Sequence, residues 1–427
     1  MNIQLLPHKK VKGKISVPGS KSITNRALLM ASLAKGDTTL KNALFSDDTK
    51  VMIEALRNLG VTIRKVKDGL KITGNGGKFS KPKKELNLGN AGTAVRFLTA
   101  ISCLIPGKTI VTGDERMCER PIQDLIDGLN QLKIEAKFIN ENKCPPVEIP
   151  FQKFLGGKCE IRGNKSSQYF SALLMLAPLS KDKDTTIKVQ GSLVSKPYID
   201  ITLKLLETFG IVVQNKDYKT FKIPANQKYK PVNLEVEADA SSATYFMAFA
   251  AATEGEVEIT NLGTDSIQGD SKFYKILEKM GCEVEATEKS ITVKGPEKLK
   301  SIGDINMTSM PDSSMTLAVL ASISLGLTTI KGIRNLRIKE CNRLEALTKE
   351  FKKCGIYAKE LKNGISIIGR PPRPADIETY NDHRMAMSFS ILSLVSNGIK
   401  ILEADCVNKT YPEFWTDVKK LGIKVVK

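Results

Sequence analysis

Apolar and polar positions along the 427 residues trace one unit six times. Each copy carries a helix-like run, a short polar end and then a strand-like alternation. The segments are ALRNLGVTI from 55, GLNQLKIEA from 128, LLETFGIVV from 205, ILEKMGCEV from 276, EFKKCGIYA from 350 and DVKKLGIKV from 417. Their landmarks are Gly60, Lys133, Gly210, Gly281, Gly355 and Gly422, at steps of 73, 77, 71, 74 and 67 residues. Five are glycines, the residue expected just past a helix carboxyl end.

A second signal runs in phase with the first: a polar cluster followed by a helix rich in small apolar residues. The six instances are GSKSITNRALLMASLA, GNAGTAVRFLTAIS, GNKSSQYFSALLMLA, ADASSATYFMAFAAA, PDSSMTLAVLASISL and NDHRMAMSFSILSLV. After the first turn they lack a broad charged face, which predicts burial, whereas the helices ending at the landmarks carry charge and should face solvent. A strand signal follows each buried helix, and a further strand such as LKITG, VEIP, FKIP, ITVKG or ISIIG closes the repeat. The sixth copy stops at Lys427 without one, and KISVPG near the start is expected to supply it.

The prediction is an α/β fold: a two-domain inside-out α/β barrel of six repeats, with buried parallel helices and outer strands, three repeats per domain. One domain is discontinuous, residues 1–20 with 237–427, and the other, 21–236, is inserted into it. Parallel buried helices put their amino ends on one face, so the expected active site lies in an interdomain cleft where helix dipoles favour anions.

Composition narrows the chemistry. Eight cysteines have no CxxC pair, and only His8 and His383 offer imidazole, so neither a disulfide framework nor a metal site is expected. The start lacks a leader-like apolar core, and stretches such as Leu317 to Leu327 are too short and too often broken by Ser or Thr to span a bilayer. A cytoplasmic monomer acting on small molecules is expected, with no membrane and no nucleic-acid partner. The formal charge is +19, yet 52 of the 65 basic residues are lysines dispersed along the chain, and aromatics are sparse. The 13 arginines are more informative, because guanidinium grips phosphate and carboxylate in bidentate fashion.

Candidate site residues cluster at the buried helix starts. Lys21, Ser22, Thr24, Asn25 and Arg26 open the first, and Asn90, Gly92, Thr93 and Arg96 the second. Ser166, Ser167 and Gln168 open the third, with Ser195, Lys196 and Tyr198 in the loop beyond it. Arg116 and Arg120 follow a strand. Ordinary helix capping uses many of these residue types too. The second half adds Asp312, Lys339, Glu340, Arg343, His383, Arg384 and Lys409. Without its context, RIKECNRLEAL reads as a solvent-facing helix start.

In order and spacing, PGSKSITNRAL, GNAGTAVR, GDERMCERPI, SSQYFSALLM, SKPYID, MPDSSMTLAV, RIKECNRL, NDHRMAM and KTYPEF resemble the 5-enolpyruvylshikimate-3-phosphate synthase family over essentially the whole chain. The resemblance implies transfer of the enolpyruvyl group of phosphoenolpyruvate to the 5-hydroxyl of shikimate 3-phosphate, with release of phosphate and no cofactor. It implies shikimate 3-phosphate contacts from Lys21, Ser22, Arg26, Ser166, Ser167, Gln168, Ser195, Asp312, Asn335 and Lys339. Phosphoenolpyruvate would meet Lys21, Asn90, Gly92, Arg120, Gln168, Arg343, Arg384 and Lys409. For catalysis, Asp312 is taken as base and Glu340 as acid, with Lys21 an alternative proton carrier; no metal is implied.

This chain departs from the family pattern at Phe97, where many relatives have Pro, and at Cys341 and Asn342, which replace the common Thr and Asp. Asn342 cannot give Arg343 a carboxylate partner. Glyphosate, an inhibitor of the family, would compete with phosphoenolpyruvate. The alternative is the sister transferase acting on UDP-N-acetylglucosamine, whose reactive cysteine lies five residues before the arginine of the RP pair. That position is Glu115 here, and Cys118 sits only two before Arg120.

Overall fold

The computed structural model describes residues Met1–Val426. By internal contacts the chain divides into two compact units, Met1–Pro18 with Glu237–Lys427, and Gly19–Val236. Twelve α-helices fall in two sets. The first set is α1 (Lys21–Leu33), α3 (Gly92–Ile101), α5 (Ser167–Leu176), α7 (Ala240–Ala252), α9 (Ser314–Ile323) and α11 (His383–Val395). Nearly all residues of these six are buried. The second set is α2 (Asp47–Asn58), α4 (Gln123–Gln131), α6 (Lys196–Thr208), α8 (Tyr274–Lys279), α10 (Arg343–Lys353) and α12 (Phe414–Lys420), each with an exposed face.

The buried set is rich in serine and threonine, which would be costly inside a core if unsatisfied. Many hydroxyls turn back onto their own helix: Ser32 donates to Leu29 O, Ser102 to Leu98 O, Ser322 to Val319 O and Ser390 to Met387 O. Short side chains then let helices approach closely. In one unit α3 packs against α1 and α5; in the other α7, α9 and α11 pack mutually.

Six four-stranded sheets surround these helices, each with one parallel pair and two antiparallel pairings. Gly157–Arg162, for example, runs parallel to Thr185–Gln190 with buried α5 connecting them, a βαβ crossover. All six landmarks have positive φ, from 65° at Lys133 to 99° at Gly281.

The sixth sheet corrects the expected strand. Ile3–Leu5 fits antiparallel between Ile399–Ile401 and Val425–Val426, while KISVPG begins inside the strand Lys12–Ile15, which joins a different sheet, parallel to Glu256–Ile259. The side chains explain the choice: Ile3 and Leu5 alternate into the core as a central strand requires, whereas Lys12, Gly13 and Lys14 are exposed, which suits an edge. Asn233–Glu235 makes the matching exchange, pairing parallel with the Lys35–Lys41 strand.

Two asparagines in equivalent repeat positions hold the chain where it passes between units. Asn42 donates to Val236 O at 2.9 Å, and a Cβ on Gly19 would lie 1.9 Å from Asn42 O, so only glycine fits there. In the other unit Asn261 accepts from Val17 N at 3.1 Å and donates to Val17 O at 2.8 Å. No helix among the described residues is long and apolar enough to cross a membrane.

Candidate active site

In the Gly19–Val236 unit the buried helices meet through their first turns. Asn25 of α1 donates to Thr93 of α3 at 2.8 Å. Lys21, the first residue of α1, places Nζ 3.0 Å from Oδ2 of Asp48 in the first turn of α2, leaving the lysine partly accessible. Asn90 and Arg120 form a second cationic point: Arg120 Nη1 donates to Asn90 Oδ1 at 2.7 Å and is close to Asn90 O at 3.3 Å. Gly92 opens α3 against this guanidinium, and a Cβ there would fall 2.8 Å from Arg120 Nη2. Pro121, next along, is held by Arg96 at 3.2 Å and by the Tyr169 hydroxyl at 2.6 Å, both donating to its carbonyl. Arg116 instead forms a partly exposed pair with Glu119 at 2.8 Å.

Ser166 caps α5 by accepting from Gln168 N at 3.2 Å, which sets Ser167 and Gln168 in the first turn. Lys165, just before the cap, is 2.9 Å from buried Asp124 on α4. Ser195 precedes α6 in left-handed backbone, φ 55°, an uncommon conformation for serine and a sign of local constraint. Lys196 turns away to lie over the Tyr218 ring at 5.0 Å.

Arg26, expected as a shikimate 3-phosphate contact, lies beneath the start of α1. Its residue is 0% exposed, and its guanidinium donates to Thr202 Oγ1 at 2.7 Å, Ser22 O at 2.8 Å, Ser171 Oγ at 3.1 Å and Tyr198 O at 3.3 Å. It also lies 5.2 Å from the Phe97 ring, and burial lowers its pKa to about 10. Arg26 therefore fixes Ser22 and the first turn of α6 at Tyr198 from beneath, and Phe97 packs on it.

The other unit gathers charge around Asp312, which immediately precedes the N-cap of α9. Arg343 Nη1 lies 3.1 Å from Asp312 Oδ1, Arg384 Nη2 3.2 Å from Oδ2, and Lys339 Nζ 3.6 Å from Oδ1. Burial alone would raise the Asp312 pKa, but Arg384, Lys339 and Arg343 outweigh it and hold the carboxyl well below the ordinary carboxylate range. Glu340 Oε2 accepts from Arg343 Nη2 at 2.9 Å. The two candidate proton-transfer carboxylates thus share one guanidinium.

Asp382 answers the question posed by Asn342. It accepts from Arg343 Nε at 2.7 Å and Nη2 at 3.1 Å, a bidentate grip, and caps α11 by accepting from Arg384 N at 2.9 Å. Burial opposes the Arg343 charge, but Asp382, Glu340 and Asp312 raise its pKa above that of a free guanidinium. Asn342 is freed to cap α10, though its contact from Glu345 N is long at 3.5 Å. RIKECNRLEAL is not one helix start: Arg334–Ile338 is a 3-10 turn, and α10 begins at buried Arg343. Arg384 is steadied by Tyr245 of α7, with Nη1 3.2 Å from the phenol oxygen. His383 is buried beside Asp382, with Nδ1 3.6 Å from Oδ1. Asn335 is buried in the 3-10 turn with no hydrogen bond to Oδ1, and Lys409 ends another 3-10 turn, Ala404–Lys409.

Sequence reasoning passed over Asp48, Tyr245 and Asp382 as participants. Asp382 had a signal, an Asp before a helix start, but capping accounted for it fully. Cys118 is half-buried and tied to local oxygens, with Sγ 3.8 Å from Gly113 O. No cluster of metal-ligating side chains occurs among the described residues.

Comparison with known proteins places these residues in context. Residues 5–418 match the sequence profile described as EPSP synthase (3-phosphoshikimate 1-carboxyvinyltransferase). The chain is 46% identical over 427 residues to a 3-phosphoshikimate 1-carboxyvinyltransferase of Shewanella halifaxensis, covering 98% of this chain and 99% of that one. It is 47% identical over 418 residues to the Shewanella woodyi protein of the same name, covering 97% of each. Among solved structures, EPSP synthase from Acinetobacter baumannii aligns over the full length of both chains with a TM-score of 0.81 at 27% identity. The enolpyruvyl transferase NikO from Streptomyces tendae shares the fold, with a TM-score of 0.79 at 17% identity.

Proposed function

The chain belongs to the EPSP synthase family, and from that premise we propose how its residues transfer the enolpyruvyl group of phosphoenolpyruvate to the 5-hydroxyl of shikimate 3-phosphate. Asp312, a partly buried carboxylate surrounded by Arg343, Arg384 and Lys339, is the observation that carries this assignment. Two polyanionic substrates repel one another, and cations must offset that repulsion before any bond forms. Lys21, Asn90, Gly92, Arg120, Gln168, Arg343, Arg384 and Lys409 would receive phosphoenolpyruvate. Lys21, Ser22, Arg26, Ser166, Ser167, Gln168, Ser195, Asp312, Asn335 and Lys339 would receive shikimate 3-phosphate. Arg26 also holds Ser22 and Tyr198.

In the free protein the surrounding cations make Asp312 a weak base. Anionic groups bound at Arg384, Arg343 and Lys339 take up part of that positive charge and raise the basicity of Asp312 when the hydroxyl arrives. Asp312 removes the hydroxyl proton as the oxygen bonds to C2 of phosphoenolpyruvate, and Glu340 delivers a proton to C3. The tetrahedral adduct then loses phosphate as a methyl proton leaves, which restores the double bond. Lys21 and Arg120 stabilise charge on the departing group. A cytoplasmic monomer is part of the same proposal, and sedimentation velocity tests the oligomeric state.

Support comes from full-length relatives carrying the 3-phosphoshikimate name, not the UDP-N-acetylglucosamine one. A phosphate-release assay tests the reading: shikimate 3-phosphate should support turnover with phosphoenolpyruvate and UDP-N-acetylglucosamine should not. Asp312→Ala and Glu340→Ala should lower turnover more than substrate binding. Turnover with the nucleotide sugar alone would overturn the proposal.

A further inference from the structure

Asp270 is a buried carboxylate that the scheme above leaves unused. It lies in the 3-10 segment Gly269–Phe273 before α8 and is 5% exposed. One oxygen, Oδ2, accepts from the hydroxyl of Ser241 in the first turn of α7 at 2.7 Å; the other, Oδ1, accepts from Ser313, the N-cap of α9, at 2.6 Å. The segment is itself anchored to α7, because Gln268 accepts from Ala240 N at 3.2 Å and donates to Ala238 O at 2.7 Å. Ser313 directly follows Asp312, so the chain Gln268, Asp270 and Ser313 ties the proposed base to the start of α7.

We infer that Asp270 is a positioning residue for the transfer: through Ser241 and Ser313 it fixes the start of α9, and with it the Asp312 carboxylate, relative to α7. The inference rests on the assignment of Asp312 as base. Three points support it. Arg343 and Arg384 draw on Asp312 from α10 and α11, Arg384 also reaching Tyr245 of α7, and the Thr244 and Thr316 hydroxyls meet at 3.0 Å further along α7 and α9, whereas Asp270 bonds the two helix starts themselves. A general base must sit within hydrogen-bond reach of the proton it takes, so small displacements are costly. Finally, retaining an ionisable group so deeply buried is unfavourable unless its bonds serve a purpose: burial and the neighbouring Asp312 raise its pKa, against the hydrogen bonds from Ser241 and Ser313 and the charge of Arg384. A neutral residue could pack there. The carboxylate is distinguished by accepting from two hydroxyls on two helices at once.

Steady-state phosphate release by the full chain tests the inference with Asp270→Asn, Ser313→Ala, Ser313→Thr and the double variant Asp270→Asn with Ser313→Ala. Asp270→Asn should lose about ten- to hundredfold in kcat with both Michaelis constants unchanged. Ser313→Ala should show a smaller loss of the same kind, Ser313→Thr should recover activity because its hydroxyl remains, and the double variant should be no worse than Asp270→Asn. Should Asp270→Asn fail to fold, the Ser313 pair decides alone. Full kcat in Asp270→Asn or Ser313→Ala, additive losses, or Michaelis constants rising in step with the loss would overturn the positioning role while leaving the enolpyruvyl transfer intact. A wild-type protein that releases no phosphate would overturn both.

Discussion

Gly92 and Arg120 show how a single atom decides a site. The missing Cβ at Gly92 leaves the space in which Arg120 Nη2 lies, and Arg120 is nearly buried with Asn90 as partner, so it cannot step aside freely. Gly92→Ala should raise the Michaelis constant for phosphoenolpyruvate about tenfold or more, with a smaller effect on that for shikimate 3-phosphate, in initial-rate kinetics. An unchanged constant would move Gly92 out of the site. Asp312 supports a prediction about stability. A carboxyl whose pKa is depressed on folding contributes stability that is present above its unfolded pKa and is lost as pH falls through the folded value. Asp312→Asn should therefore cost about 3 kcal/mol in urea unfolding at neutral pH, since it removes the carboxylate that Arg384, Arg343 and Lys339 share. That difference should stay constant above the ordinary carboxylate pKa of about 4 and shrink only below it. A difference that varied between neutral and mildly acid pH would contradict the charge arrangement. At this scale the sequence supplied most participants but few partners. Arg343 was legible in CNRLEAL, whereas its bidentate partner Asp382 lies on another helix and no local pattern joins them.

Repeats were legible at the scale of elements because every copy must both bury a small-residue helix and end its outer helix in left-handed backbone. Lys133 tests the second requirement. It holds φ 65° where the other five copies have glycine. Left-handed backbone strains a side-chain-bearing residue, while glycine loses more chain entropy on folding, so the two effects partly cancel. Lys133→Gly should gain about 0.5 kcal/mol by denaturant midpoint with kinetics unchanged; a loss of stability would mean that the lysine makes a compensating contact. Pairing was less legible. KISVPG has a strand's composition, but composition does not say which sheet a strand joins, and Ile3–Leu5 won the central place through its two inward side chains. The RIKECNRLEAL run failed for another reason: Arg337, Lys339 and Arg343 answer to Glu360, Asp312 and Asp382, all distant in sequence, and only Glu345 pairs along the helix surface, with Lys349.

For the whole molecule, the formal charge of +19 invited a nucleic-acid reading that the repeat made unnecessary. What matters is where the few arginines sit. Arg120 belongs to one compact unit, Arg343 and Arg384 to the other, each at the start of a helix or beside one. In the proposed reaction Arg120 and Arg384 both bind phosphoenolpyruvate. Phosphate release from shikimate 3-phosphate and phosphoenolpyruvate, compared between wild type, Arg120→Ala and Arg384→Ala, tests that claim most directly. Both substitutions should raise the Michaelis constant for phosphoenolpyruvate; a wild-type value in either folded variant would remove that arginine from the phosphoenolpyruvate site and contradict the proposed binding set.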